Sequence, residues 1–162
     1  MWSSARKAVF YVIFAQKLLR IEQQRGLTHA EVALACSVFG TQLQTDTVRL
    51  VACRWVLRGY AISPNGHVYF HPDDWREDFA QADLNTQSWL IHELVHVWQV
   101  QQGMAVLRRA LFDRRYRYQL VQGKPFLSYG IEQQAQIVQD YFVRRIRGQD
   151  CTAWQQCLPF YR

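Results

Sequence analysis

The sequence predicts an α+β domain that is mostly helical, with a small sheet of short strands. Long stretches without Pro or Gly carry apolar residues at helical spacing, above all Thr86 to Gln102 and Ile131 to Arg147. The β-branched apolar runs are short and lie between turn signals in the middle of the chain. Helices therefore come first and last, with strands between them, which is the order of an α+β chain rather than of alternating β and α units.

Taken in order, Arg6-Lys7 precedes an apolar run from Ala8 to Ala15 that stops at Gln16 and Lys17. No small-residue cleavage site follows, so a secretory signal is not indicated, and the run is too short to cross a bilayer. Val9, Phe10, Ile13, Phe14, Lys17 and Ile21 fall on one stripe, so residues 1–26 read as an N-terminal amphipathic packing helix. Thr28-His29-Ala30-Glu31 has the pattern of a capping box and opens a helix expected to end at Gly40. Val48 to Cys53 reads as a strand, Ser63-Pro64-Asn65-Gly66 as a turn and His67-Val68-Tyr69-Phe70 as a second short strand. His71-Pro72-Asp73-Asp74 breaks that strand and begins an irregular or helical segment toward Ala80. Asp83-Leu84-Asn85-Thr86 offers N-caps to the next helix, and Gly103 is its expected stop. Gly103 to Val121 reads as helical in whole or part, Gly123-Lys124-Pro125 as a loop, and Ile131 to Arg147 as the last long helix. Residues 148–162 read as a C-terminal tail. Without a repeat, low-complexity stretch or linker, the chain is read as a single domain, 1–162.

The chain has 162 residues, of which 49% are hydrophobic and 14% aromatic, enough for a globular core and too apolar for a disordered segment. Its net charge of +6 comes mainly from Arg108, Arg109, Arg114, Arg115 and Arg117, then Arg144, Arg145 and Arg147. Such clusters serve nucleic acid or anionic lipid, or form a solvated helix face. The second reading is preferred, so neither a nucleic-acid partner nor stable membrane insertion is expected. Tyr116, Tyr118 and Tyr141 read as core positions at helical spacing. Cys36 and Cys53 read as small buried hydrophobes, while Cys151 and Cys157 bracket a short loop and could pair in an oxidising compartment.

The most informative segment is His92-Glu93-Leu94-Val95-His96. Residues four apart on an α-helix sit on the same face, so His92 and His96 can share one metal ion with Glu93 beside them to handle a proton. Leu90, Ile91, Leu94, Val95 and Val97 make this helix apolar, and an interior rarely accepts two His and a Glu without giving them partners. The bland alternative is a buried helix whose polar side chains are satisfied by backbone and Arg. Catalytic zinc takes three protein ligands and keeps a position for water. Glu132 is the best third ligand, in the first turn of a helix with Ile131, Ala135, Val138 and Phe142 as its apolar stripe; His67, His71 and Asp140 are the alternatives. The competing role for Glu132 is a carboxylate favoured by the helix dipole. With Zn2+ bound, Glu93 is the expected general base. Tyr129, then Tyr118, are the candidate donors to an oxyanion. His67 to Phe70 is a candidate edge strand for an extended peptide.

Several segments together resemble a known bacterial group: Phe39-Gly40; Ser63-Pro64-Asn65-Gly66 continuing through His67-Val68-Tyr69-Phe70 to His71-Pro72-Asp73-Asp74; Leu90 through Gln99; Gly123 through Phe126; and Tyr129 through Ala135. The group comprises small zincin-like proteins, often described as Rhs- or Vgr-related. It is similar to peptidase domains associated with contractile injection and type VI secretion systems. The likeness covers residues 27–147. It implies a zincin-like fold with the small sheet packed on the motif helix, and a zinc metallopeptidase in which Glu132 matches the third ligand. It also implies a bacterial protein, cytoplasmic before a secretion that needs no signal peptide, acting as delivered toxin or processing enzyme. The partners implied are a peptide or protein substrate, a secretion-system spike and a cognate immunity protein. One position departs from the pattern. The acidic residue usually found four after the ligand is Gln136 here, which removes the expected carboxylate support of a motif histidine. The competing reading from another class is a catalytically retired zincin fold that binds a part of the secretion apparatus.

Overall fold

A computed structural model describes residues 21–106 and 116–160. Among them the chain runs β1 (Ile21–Arg25), α1 (His29–Phe39), β2 (Leu50–Cys53), β3 (Ala61–Ile62), β4 (Val68–Phe70), α2 (Leu84–Gln101), α3 (Ile131–Ile146) and α4 (Thr152–Cys157), an α+β arrangement with one small mixed sheet. The strand order is β1-β2-β4-β3; β1 is antiparallel to β2, β2 parallel to β4, and β4 antiparallel to β3.

The sheet corrects two expectations. Ile21–Arg25 is a strand, although residues 1–26 read as a helix; residues 1–20 lie outside the described ones. Ile21 satisfies a helical stripe by spacing alone, yet it pairs with Cys53 and packs on the small cluster of Val51, Cys53 and Val56. His67 to Phe70 is not an edge strand. Val68–Phe70 lies between β2 and β3, because the Ser63–Gly66 turn folds Ala61–Ile62 back along its outer side.

The helix boundaries follow the local chemistry. Thr28 Oγ1 accepts from the Glu31 amide while the Glu31 carboxylate accepts from the Thr28 amide, so the capping box is present in full. Gly40 and Gly103 follow α1 and α2 with φ of 56° and 77°, a region that disfavours side chains with a Cβ. Asp83 caps α2 through the Thr86 amide at 2.8 Å. Residues 116–120 carry no regular structure, so the stretch Gly103 to Val121 is not helical at its end; residues 107–115 lie outside the described ones.

The core centres on α2. Its residues are buried almost continuously from Ser88 to Gln99, so the helix has no solvent face over that span. One side meets the sheet, where Phe70 of β4 stacks on Phe79 at 4.7 Å and meets Trp89 edge-on at 5.1 Å. The other side packs on α3, whose Ile137, Val138, Tyr141 and Phe142 are fully buried. Residues 148–162 are more than a tail. They contain α4, bury Leu158, and set the Phe160 ring against Phe39, Trp98 and Phe126. Cys53 is buried, which pushes its thiol pKa up, whereas Cys36 is exposed rather than buried as expected; Cys151 and Cys157 are free thiols.

A buried carboxylate ties the N-terminal part to the turn that precedes α2. Glu31 has no exposure and accepts four hydrogen bonds: from Arg25 Nη1 and Nη2, and from the amides of Thr28 and Phe79, at 2.6 to 2.8 Å. Removing one partner of such a pair leaves the other without compensation. Glu31→Gln is therefore expected to lower unfolding free energy by about 3 kcal/mol in urea titrations. A loss within experimental error would contradict this role for the carboxylate.

Candidate metal centre

Four residues apart on α2, His92 and His96 present their rings to the same side, with centroids 5.1 Å apart and planes at 76°. Glu132, in the first turn of α3, meets them there: its Oε2 lies 3.4 Å from His92 Nε2 and 3.3 Å from His96 Nε2. One donor atom from each of the three falls within 4.8 Å of the others, and no other cluster of this kind occurs among the described residues. Donors bound to one tetrahedral zinc at about 2.0–2.1 Å stand roughly 3.3–3.4 Å apart. The two N···O separations match that spacing, and two imidazoles with a carboxylate form a donor set zinc accepts. The residues fit the ion. All three are buried, each keeping 6% to 8% exposure.

Electrostatics keep Glu132 ionised and His96 a strong base. Burial alone would raise the Glu132 pKa, but hydrogen bonds from His92 and His96, with their charge, outweigh it and hold the group at about 2. Burial alone would lower the His96 pKa; the Glu132 hydrogen bond and the charges of Glu93 and Glu132 carry it to about 9 instead. Glu93 is not part of the cluster. Its Oε2 accepts a 2.8 Å hydrogen bond from Ser63 Oγ, which follows β3 directly. The turn pattern concealed this contact, in which a buried hydroxyl holds the carboxylate in place.

The alternative ligands lie elsewhere. His71 Nδ1 accepts from the Asp73 amide in the turn after β4, Asp140 accepts from Tyr118 and Gln136, and His67 joins neither histidine of the motif. The Tyr129 hydroxyl accepts from the Val121 amide and donates to the Gln119 carbonyl, at 3.1 and 3.2 Å. Both bonds fasten the loop before α3, and the hydroxyl proton expected for an oxyanion is here given to the Gln119 carbonyl. Tyr118 donates to Asp140 and accepts from Trp154, and burial pushes its pKa up. The tyrosine beside the cluster is Tyr116. Read as a core position, it is half exposed and its ring stacks on His92 at 6.2 Å. It also lines a cavity of about 730 Å³ with Leu120, Gln136, Asp140 and Trp154.

Of the basic clusters, Arg144 stacks on Trp154 and bonds the Asp150 carbonyl, and Arg145 stacks on Tyr141 and holds the Ser37 side chain. Both serve internal contacts. Arg108, Arg109, Arg114 and Arg115 lie outside the described residues. Among the described residues no helix is long and apolar enough to cross a membrane.

No family model matches the chain. It is 39% identical over 137 residues to the type VI secretion system spike protein VgrG2b of Pseudomonas aeruginosa. That match covers 76% of this chain and 13% of the spike protein, so the chain spans a small part of that relative's length. Its structure is similar to that of the effector domain of Pseudomonas aeruginosa VgrG2b, with a TM-score of 0.71 and 36% identity over 91% of each chain.

The coupling of Glu132 to His96 makes the metal-free protein sensitive to pH on both sides. Glu132 is held below its ordinary value of 4.5, so its contribution is complete above that pH and is lost as pH falls toward about 2. His96 is held above its ordinary 6.5, so its contribution is complete below that pH and is lost as pH rises through about 9. Metal-free stability from denaturant titrations is expected to be greatest between those two ordinary values, and Glu132→Gln is expected to flatten both flanks. An unaltered chain that gains stability on the alkaline flank would show that the pair is not formed.

Proposed function

The chain belongs to the family of the VgrG2b effector domain, and from that premise we propose that it is a zinc-dependent peptidase acting as an effector of a type VI secretion apparatus. The observation that carries the reading is the convergence of His92, His96 and Glu132 within 4.8 Å, with Glu93 next in sequence to a ligand and held by Ser63. His92, His96 and Glu132 would hold the ion. Zinc supplies two things when bound: it lowers the pKa of water from 15.7 toward about 7, and it polarises a carbonyl oxygen. Glu93 takes the proton from the attacking water and returns it to the leaving amine. Ser63 fixes the carboxylate oxygen that it contacts, leaving the other to face the water. An extended peptide would pair with β3, the outer strand on that side among the described residues, because β3 runs into Ser63 and thus toward Glu93.

A retired fold that only binds a partner would turn Glu132 away or fill the ion's remaining position with protein, and Glu132 faces both histidines. Among the described residues no fourth His, Cys, Asp or Glu joins the three, which favours the open, catalytic arrangement. The spike protein named above makes a secretion apparatus the natural carrier, and a protein or peptide of the recipient compartment the substrate class.

Purified chain loaded with zinc is expected to retain one equivalent by elemental analysis and to cleave protein substrates in a chelator-sensitive way. Glu93→Gln should keep the metal and lose roughly 10²- to 10⁴-fold in rate, whereas Glu132→Ala should lose the metal itself. Full activity in Glu93→Gln, or no zinc retained by the unaltered chain, would overturn the proposal.

A further inference from the structure

Both histidines of the cluster are braced from behind by amides. His96 Nδ1 lies 2.9 Å from Gln99 Oε1, and His92 Nδ1 lies 3.0 Å from Gln139 Oε1. We propose that Gln99 and Gln139 are positioning residues, each ending a chain of hydrogen bonds anchored on backbone carbonyls. These two chains hold a proton on Nδ1 of both imidazoles, which leaves Nε2, toward Glu132, as the nitrogen that would give its lone pair to a cation.

The direction of each chain follows from what its terminus can do. Gln134 Nε2 donates to the Tyr129 carbonyl at 2.8 Å, and Gln99 Nε2 donates to the Ile131 carbonyl at 3.1 Å and to Gln134 Oε1 at 2.9 Å. A carbonyl only accepts, so the NH2 end of each amide must face it. That leaves the Gln99 oxygen, which carries no proton, against His96 Nδ1, and the ring nitrogen must donate. Gln99 and Gln134 have no solvent exposure, so water does not compete for these bonds.

The second chain shares no residue with the first. Ser88 Oγ donates its single proton to the Asn85 carbonyl at 2.9 Å. Its oxygen can then only accept from Gln139 Nε2, at 3.3 Å, which turns Gln139 Oε1 to His92 Nδ1. Two independent routes thus call for a proton on Nδ1 of both rings. Buried amides are costly unless every polar atom is paired, and here the pairing also orients the rings. The bracing partner expected on α3 is present, but as Gln139 rather than at position 136; Gln136 itself bonds Asp140. A neutral amide fixes a histidine without adding a second negative charge behind it.

The effect on metal affinity rests on the zinc-site reading of the preceding subsection; the placement of the Nδ1 protons does not. The test uses the full chain with 15N-labelled histidine and long-range proton–nitrogen spectra. In the zinc-loaded protein both rings are expected to carry protonated Nδ1 and metal-bound Nε2. In the metal-free protein both Nδ1 protons should be present and slow to exchange with water, since each is held by a glutamine oxygen. Gln139→Leu removes the acceptor behind His92 and is expected to weaken zinc binding by roughly 10- to 100-fold in chelator competition, with the melting temperature of the metal-free chain unchanged. Gln139→Glu restores an acceptor and should recover the affinity. Gln99 is read from the spectra of the unaltered chain, since truncating it strands Gln134. A histidine with unprotonated Nδ1, an undiminished affinity in Gln139→Leu, or no recovery in Gln139→Glu overturns the proposal. If the unaltered chain takes up no zinc, the peptidase reading fails, and the exchange of the Nδ1 protons in the metal-free protein still decides whether the amides brace the rings.

Discussion

The packing of α2 against α3 is the constraint on which the site depends. Leu90, Ile91 and Leu94 share one buried core with Ile137, Tyr141 and Phe142. Each fully buried side chain of this kind contributes about 1.5–3 kcal/mol, which offsets the cost of bringing two imidazoles and two carboxylates into the interior. The same packing sets the register. Sliding either helix by one turn, about 5.4 Å, would carry Glu132 out of reach of both His92 and His96. Gln99 resists that slip directly, since its amide bonds the Ile131 carbonyl and Gln134 across the interface.

Around this pair the remaining elements act as positioning devices. Glu31 joins β1, the start of α1 and the Phe79 amide in one set of charge-assisted hydrogen bonds. Phe79 in turn stacks on Phe70, and Phe70 meets Trp89 of α2. Glu93 is supported by Ser63 beside the sheet and His92 by Gln139 of α3, so these two supports rest on different layers that meet at α2. The loop before α3 is fastened by the Tyr129 hydroxyl, with Lys124 over the same ring at 4.0 Å. This loop leads directly into the turn that carries Glu132.

What was legible in the sequence was local. His92 and His96 are related by one helical turn, the capping box occupies four consecutive residues, and the glycine stops follow directly on the helices they end. Glu132 was also legible, because it stands in the first turn of an amphipathic helix, although its meeting with the histidines is a tertiary fact. What escaped was non-local or carried no charge signature. Ile21 fits a helical stripe by coincidence of spacing and belongs to a strand paired with Cys53. The interior place of β4 depends on a partner strand of two residues, too short to leave a pattern. Ser63 looks like a turn residue until its hydroxyl is found on Glu93. Gln99 and Gln139 are uncharged, and only the direction of their hydrogen bonds reveals them. Phe160 lies in a stretch that reads as a tail but completes the aromatic packing under Trp98.

The account rests on three side chains from two helices sharing one cation. Anomalous diffraction from crystals of the zinc-loaded protein addresses it directly. The predicted result is a single zinc peak bonded by the Nε2 atoms of His92 and His96 and by the Glu132 carboxylate, with its remaining position open to solvent beside Glu93. A peak elsewhere in the chain, or a zinc whose last position is filled by a protein side chain, would contradict it.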